Sequence, residues 1–193
     1  TTVFFKGCQL RCPWCQNPES ISPRPQQMRY PERCIGCGRC DEGCYAGARE
    51  LAGREMDIPD ILREAREDAP FYGREGGVTL SGGEPLLQAG FARALAQTLR
   101  NEGIHTAMES NLCVPEETFA PVMETLDLLM ADLKIWDSQK HREWTGMGNG
   151  LALRNLRLAS AAGLPVILRT PVIPGVNAGP EDIQPIANFA ASL

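Results

Sequence analysis

Cys8, Cys12 and Cys15 form a C-x3-C-x2-C group directly after the apolar run Val3-Phe4-Phe5. Thiolates are soft ligands that select zinc, copper(I) or iron–sulfur clusters, and three of them in one short loop can grip a single centre. A structural zinc site is closed by four ligands, and a cubane iron–sulfur cluster takes four cysteines. A triad with no fourth cysteine or histidine beside it therefore leaves one metal position open, which is where chemistry takes place.

A second group follows at Cys34, Cys37, Cys40 and Cys44, in a C-x2-C-x2-C-x3-C run. This is the bacterial ferredoxin signature, whose small residues let backbone amides approach the cluster sulfurs. A zinc ribbon is the competing reading, but ribbons separate their two C-x2-C pairs widely. The run departs from the ferredoxin pattern in two ways. Tyr45 stands where proline usually follows the fourth cysteine, and there is one run rather than two. Either Cys44 closes the same cluster or the fourth ligand comes from elsewhere, with the lone Cys113 as a candidate. Seven of the eight cysteines lie within the first 44 residues. Such crowding suits metal ligation better than bridges between distant segments, and implies a reducing cytoplasm.

Charged and flexible groups recur further along. In Thr79-Leu80-Ser81-Gly82-Gly83-Glu84-Pro85 the glycines allow close backbone approach to a ligand, and Glu84 offers a carboxylate able to hold an ammonium group; a tight turn would also use such glycines. Asp132 and Lys134 alternate with Leu133 and so face a barrel interior or mouth, although a plain salt-bridged pair would read the same way. Arg169, on the otherwise apolar Ile167-Leu168-Arg169-Thr170, is suited to holding a carboxylate bidentately.

The cysteine spacing, with Trp14 just before the last cysteine, resembles the cluster-binding loop of the radical S-adenosylmethionine (SAM) superfamily. The flanking Phe5-Lys6-Gly7-Cys8 and Trp14-Cys15-Gln16-Asn17-Pro18-Glu19 more narrowly resemble the glycyl-radical-enzyme activating enzymes, of the pyruvate formate-lyase activating type. The resemblance implies a [4Fe–4S] cluster on Cys8, Cys12 and Cys15 whose open iron is chelated by SAM. It implies that Gly82, Gly83 and Glu84 bind the SAM amino group, that Asp132 and Lys134 contact its nucleoside and carboxylate regions, and that Arg169 holds the carboxylate. Trp14 and Ser110 join the cofactor contacts. Glu109 corresponds to an acidic residue that lies near a monovalent cation in some relatives, and Val172-Ile173-Pro174-Gly175-Val176-Asn177 to a turn beside the adenine. Asp137, His141, Thr145 and Gly146 fit a further family pattern, in which His141 reads as structural.

The implied reaction is reductive cleavage of SAM to methionine and a 5′-deoxyadenosyl radical that takes hydrogen from a glycine of a partner enzyme. The implied partners are a glycyl-radical enzyme and a low-potential electron donor such as flavodoxin or ferredoxin. A second [4Fe–4S] cluster on the later run would relay electrons or help to dock the partner. Two alternatives share parts of this evidence: a radical SAM enzyme acting on a small molecule or peptide, and a non-catalytic iron–sulfur or zinc protein that carries electrons or binds a partner.

The elements that must position these groups are legible as alternating periodicities. Residues 2–6 read as a buried strand, and residues 16–56, rich in proline and glycine, as an irregular segment. Strands then fall at 77–81, 104–109, 128–133 and 166–170, with helices at about 57–69, 86–102, 115–125, 151–162 and 180–193. Alternating strands and helices imply repeated βαβ units and a parallel sheet. Residues 1–193 are expected to form an α/β partial (βα) barrel with a small ferredoxin-like insert at 28–52. The resembled family has about six βα units, so five imply a chain cut short at both ends, with an open sheet edge on the C-terminal side.

The composition agrees with an ordinary globular chain: 193 residues, 43% hydrophobic and 22% charged. A net charge of −5 argues against nucleic acid, which calls for a basic stripe. No apolar run is long enough to span a membrane, and no signal peptide is visible, so a cytoplasmic location is expected.

Overall fold

The computed structural model describes residues 1–40, 43–74 and 76–193. Five parallel strands form its main sheet: β1 (Thr2–Phe5), β4 (Gly77–Gly82), β5 (His105–Ser110), β6 (Leu128–Asp132) and β7 (Val166–Arg169), in the spatial order 1-4-5-6-7. Each new strand joins the same side of the sheet. With right-handed crossovers this sends the connecting helices to one face and curls the other into a concave wall, as in an incomplete barrel.

The register decides which residues face which side. Leu80 pairs with Met108, Met108 with Leu129, and Ala131 with Leu168. The first four of these are fully buried and form the helix-facing floor of the core. Their neighbours Ser81, Glu109, Asp132 and Arg169 therefore point to the concave side, because side chains alternate along a strand. Between the strands run α1 (Ile58–Asp68), α2 (Ala89–Asn101), α3 (Glu116–Met123), α4 (Ser138–Thr145) and α5 (Gly150–Ala161), and α6 (Pro180–Ala190) ends the series. Helix α1 starts where Asp57 accepts the Asp60 amide at 2.9 Å. Helix α2 buries Ala92, Leu95, Ala96 and Leu99, one stripe at helical spacing. Each fully buried leucine there contributes about 1.5–3 kcal/mol.

Two elements differ from the sequence reading. The segment expected to be irregular contains an antiparallel pair, β2 (Gln26–Arg29) and β3 (Arg49–Ala52), which brackets the second cysteine run like a stalk. Its strands are largely exposed and polar, so no alternation marks them, and they are paired by the backbone ladder and by one cross-strand bond, Arg49 donating to Gln27 Oε1 at 3.0 Å. Asp41 and Glu42, inside that run, lie outside the described residues. Helix α4 was also not foreseen. Its sequence SQKHREWT has no apolar stripe, and its signal lay in the caps: Asp137 accepts the Lys140 amide at 2.7 Å, and Gly146 closes the helix at φ 91°. The expected C-terminal edge is β7. Among the described residues no helix is long and apolar enough to cross a membrane.

Candidate active site

The first cysteine loop leaves the C-terminal end of β1 and is fastened on several sides. Gly7 N donates to Ser20 O at 2.8 Å, Cys8 N to Ile21 O at 3.1 Å, and Arg11 N to Thr145 O at the end of α4 at 2.8 Å. Leu10, 1% exposed, anchors the loop in the core. The turn after β4 grips it from the side: Gly83 N donates to Phe5 O and Glu84 N to Gly7 O, at 2.9 and 2.7 Å. A Cβ on Gly83 would stand 2.2 Å from Gly7 O, and one on Gly82, at φ +108°, would stand 2.4 Å from the Phe5 backbone. What these glycines approach so closely is the backbone that carries the cysteines.

Glu84 departs from its sequence reading. Its carboxylate is fully buried and is not presented to a ligand. Oε1 accepts from Leu86 N at 3.1 Å and Ser110 Oγ at 2.8 Å, and Oε2 accepts from Asn111 N at 2.8 Å. Burial pushes its pKa up to about 7 against the pull of these donors. Glu84 thus ties the end of β4 to the end of β5. Ser110 is spent in the same way, since its Oγ also accepts from Leu112 N at 2.9 Å.

A cavity of about 670 Å³ opens at the strand ends. Cys8, Cys12, Trp14 and Cys15 line one wall, Gly82, Gly83 and Ser110 its floor, and Asp132, Lys134 and Arg169 the opposite side. The residues singled out from the first loop and from the later strand ends thus border this cavity, except Glu84 and, in the 172–177 turn, every residue but Ile173. The far wall is a ladder of alternating charge. Ser81 Oγ donates to Glu109, Arg169 donates to Glu109 at 2.6 Å and to Asp132 at 3.1 Å, and Lys134 Nζ donates to Asp132 at 3.0 Å. Burial works against the charges of Lys134 and Arg169, but the surrounding anions, Asp132 foremost beside the first and Glu109 with Asp132 beside the second, together outweigh it and hold both pKa values above their usual range. Glu109 is held low because Ser81 and Arg169 overcome its own desolvation.

On the near wall, burial pushes the Cys8 thiol up to about 11 and raises Cys12, with Lys134 pulling against both. Bare thiolates are unfavourable there, so a cationic centre is needed to hold them ionised. The indole N–H of Trp14 is buried without an acceptor, and the ring lies 6.1 Å from that of Trp144. Asn111 and Gln9 are additional to the residues read from the sequence. Asn111 Oδ1 accepts from Gln9 Nε2 and Cys113 N, each at 2.9 Å, and Asn111 Nδ2 lies 3.8 Å from Cys8 Sγ. Its place after a polar strand end was the available signal. His141 is structural as read, 1% exposed, with Nδ1 against Met147 O and Thr145 Oγ1.

The second run stands apart. Cys34, Cys37 and Cys40 are exposed, and Cys44 is half-buried with its sulfur accepting Ala48 N at 3.3 Å. Amides of this kind, Ala48 first, hold the Cys44 thiol below its ordinary range. Cys113 is 3% exposed in the core under the first loop, its carbonyl accepting Gln9 Nε2 at 3.1 Å, and burial pushes its thiol up to about 12. Of the two candidates for a fourth ligand, only Cys44 lies on the stalk of the run itself. Among the described residues no three His, Cys, Asp or Glu side chains converge tightly enough for a single ion.

A family model described as the Radical SAM superfamily matches residues 2–190. The indoleacetate decarboxylase activating enzyme of Tractidigestivibacter scatoligenes is 36% identical over 99% of this chain and 73% of its own length. The benzylsuccinate synthase activating enzyme of Thauera aromatica is 38% identical over 98% of this chain and 68% of its own length. A crystal structure of a domain of pyruvate-formate lyase-activating enzyme from Bacteroides vulgatus superposes with a TM-score of 0.57 at 40% identity, covering 61% of this chain and 73% of that one.

Proposed function

This chain belongs to the radical SAM superfamily and is an enzyme of the kind that activates glycyl-radical enzymes, and we propose that Cys8, Cys12 and Cys15 with the facing charged ladder form its active site. The carrying observation is that three thiols and an ordered set of opposite charges line two walls of one cavity.

The residues fit the group the family implies. The donors are three soft thiols without a fourth partner, which suits a cubane with one free iron. The orphaned Trp14 N–H supplies a donor for a bound group at the same wall. When bound, the cluster and SAM supply the electron and the sulfonium whose cleavage gives methionine and the radical that takes hydrogen from the partner's glycine.

The chain's own residues orient and exclude. Lys134 and Arg169 present cations to a carboxylate, and Asp132 and Glu109 hold those cations in place. The backbone at Gly82 and Gly83 borders the cavity and fastens the cysteine loop. For the Cys34 to Cys44 run we favour a second [4Fe–4S] cluster with Cys44 as its fourth ligand, receiving electrons from a low-potential flavodoxin or ferredoxin in a reducing cytoplasm. The amide donors at Cys44 support that reading.

Anaerobically reconstituted protein should cleave SAM under reduction, carry roughly eight iron atoms per chain, and lose cleavage on Cys12→Ala. Cleavage retained by that variant would sink the assignment, and about four iron atoms in the parent would remove the second cluster.

A further inference from the structure

We infer that Asn111 is a positioning residue that aims its side-chain N–H at the Cys8 sulfur and thereby raises the reduction potential of the cluster held by the first loop. The inference rests on the proposed function and adds a residue to it.

The orientation of the Asn111 amide follows from its partners. Oδ1 faces two donors, Gln9 Nε2 and Cys113 N, both at 2.9 Å. An oxygen must therefore occupy that side, which leaves the NH2 group on the other, 3.8 Å from Cys8 Sγ. The backbone is held equally firmly. Asn111 N donates to the buried Glu84 carboxylate at 2.8 Å, and Asn111 itself is 6% exposed.

The next residue explains how the side chain comes to lie over the loop. Leu112 has φ 55°, the one non-glycine residue with positive φ among the described residues. A leucine in that conformation is strained by its own Cβ. The turn it makes is fixed by Ser110 Oγ, which accepts Leu112 N at 2.9 Å, and by the core, where Leu112 is 1% exposed. Such strain is kept where the surroundings over-determine it and the aim of a side chain matters.

The consequence is electrostatic. A donor directed at a thiolate stabilises the more negative, reduced form of a cluster, and hydrogen bonds to the sulfurs are among the terms that set cluster potentials. A ligand whose partner orients it in this way is tuned by a neighbour that never touches metal.

Asn111→Asp is the sharpest variant, because it keeps an acceptor for Gln9 and Cys113 and places a carboxylate oxygen where the donor stood. The experiment is a redox titration monitored by electron paramagnetic resonance, in a Cys37→Ala background so that the second run contributes no signal. Relative to the Cys37→Ala parent, the midpoint should move negative by at least 59 mV, a tenfold fall in the reduced-to-oxidised ratio at fixed potential. Gln9→Met, which releases the amide from its ladder, should shift it the same way by less. An unchanged midpoint in an Asn111→Asp protein with full iron content overturns the inference. If that protein does not retain iron, an unchanged midpoint in Gln9→Met overturns it. A parent that forms no cluster signal sensitive to SAM would instead sink the functional reading.

Discussion

The loop of Cys8, Cys12 and Cys15 is fastened by β1, by the turn after β4, by Asn111 at the end of β5 and by the end of α4, and its Leu10 is buried. The run from Cys34 to Cys44 hangs from β2 and β3, two short exposed strands, and three of its four thiols face solvent. The first loop has its shape imposed by the barrel before any metal arrives. The second has few such contacts, so a metal centre bound there would have to supply more of its folding free energy. The loop that borders the cavity is built into the scaffold, and the second cysteine run is attached to it.

Three measurements would sharpen or break this contrast. The largest effect is on thiol reactivity in the reduced, metal-free protein. Iodoacetamide at pH 8 should label Cys34, Cys37 and Cys40 first and Cys113 last, slower by on the order of a thousandfold, since burial both screens that thiol and holds it protonated. Peptide mapping by mass spectrometry reads the order, and early labelling of Cys113 would mean that the first loop's floor opens readily.

Next comes stability. Glu84→Leu strands three buried donors and should cost roughly 3 kcal/mol or more in urea unfolding. Arg33→Ala, which removes the exposed pair with Glu50 on the stalk, should cost about 1 kcal/mol or less. Equal losses would erase the distinction between the two regions.

The smallest effect is on pH dependence. Burial raises the Glu84 carboxyl from 4.5 to about 7 in the folded protein. Its contribution is present in full below the unfolded value and is lost as pH rises through 7, because the folded state binds the extra proton in that window. The swing is at most about 3 kcal/mol. Glu84→Gln should flatten the stability profile between pH 4.5 and 7, and a profile as steep as the parent's would assign the slope to other groups.

Five strands and five of the six helices were legible because buried strands and amphipathic helices leave periodic apolar residues, as in Ala92, Leu95 and Leu99. Helix α4 and the β2–β3 stalk were not, because both are polar surfaces held by caps and backbone pairing. The cavity lining at Asp132, Lys134 and Arg169 could be read from charges set on apolar strands. The sequence left open whether Asp132 and Lys134 form a salt bridge or face a site; they form the pair and line the cavity. Glu84 was legible as a carboxylate beside glycines, but two of its three partners lie 26 and 27 residues away at the end of β5, a relation that exists only once β4 and β5 are in register. Asn111 is the same case, since what it does depends on Gln9, which lies 102 residues from it.

The charge ladder on the far wall carries two anions and two cations, Glu109 and Asp132 against Arg169 and Lys134, so it sums to zero within a few ångströms. A neutral array casts almost no field beyond a Debye length, and a dipolar guest arriving from solution is not steered by it. Capture of a guest at this wall would then be an exchange of ion-pair partners at contact. The association rate should be nearly indifferent to ionic strength, while the bound complex depends on how well the guest replaces the pairs it breaks.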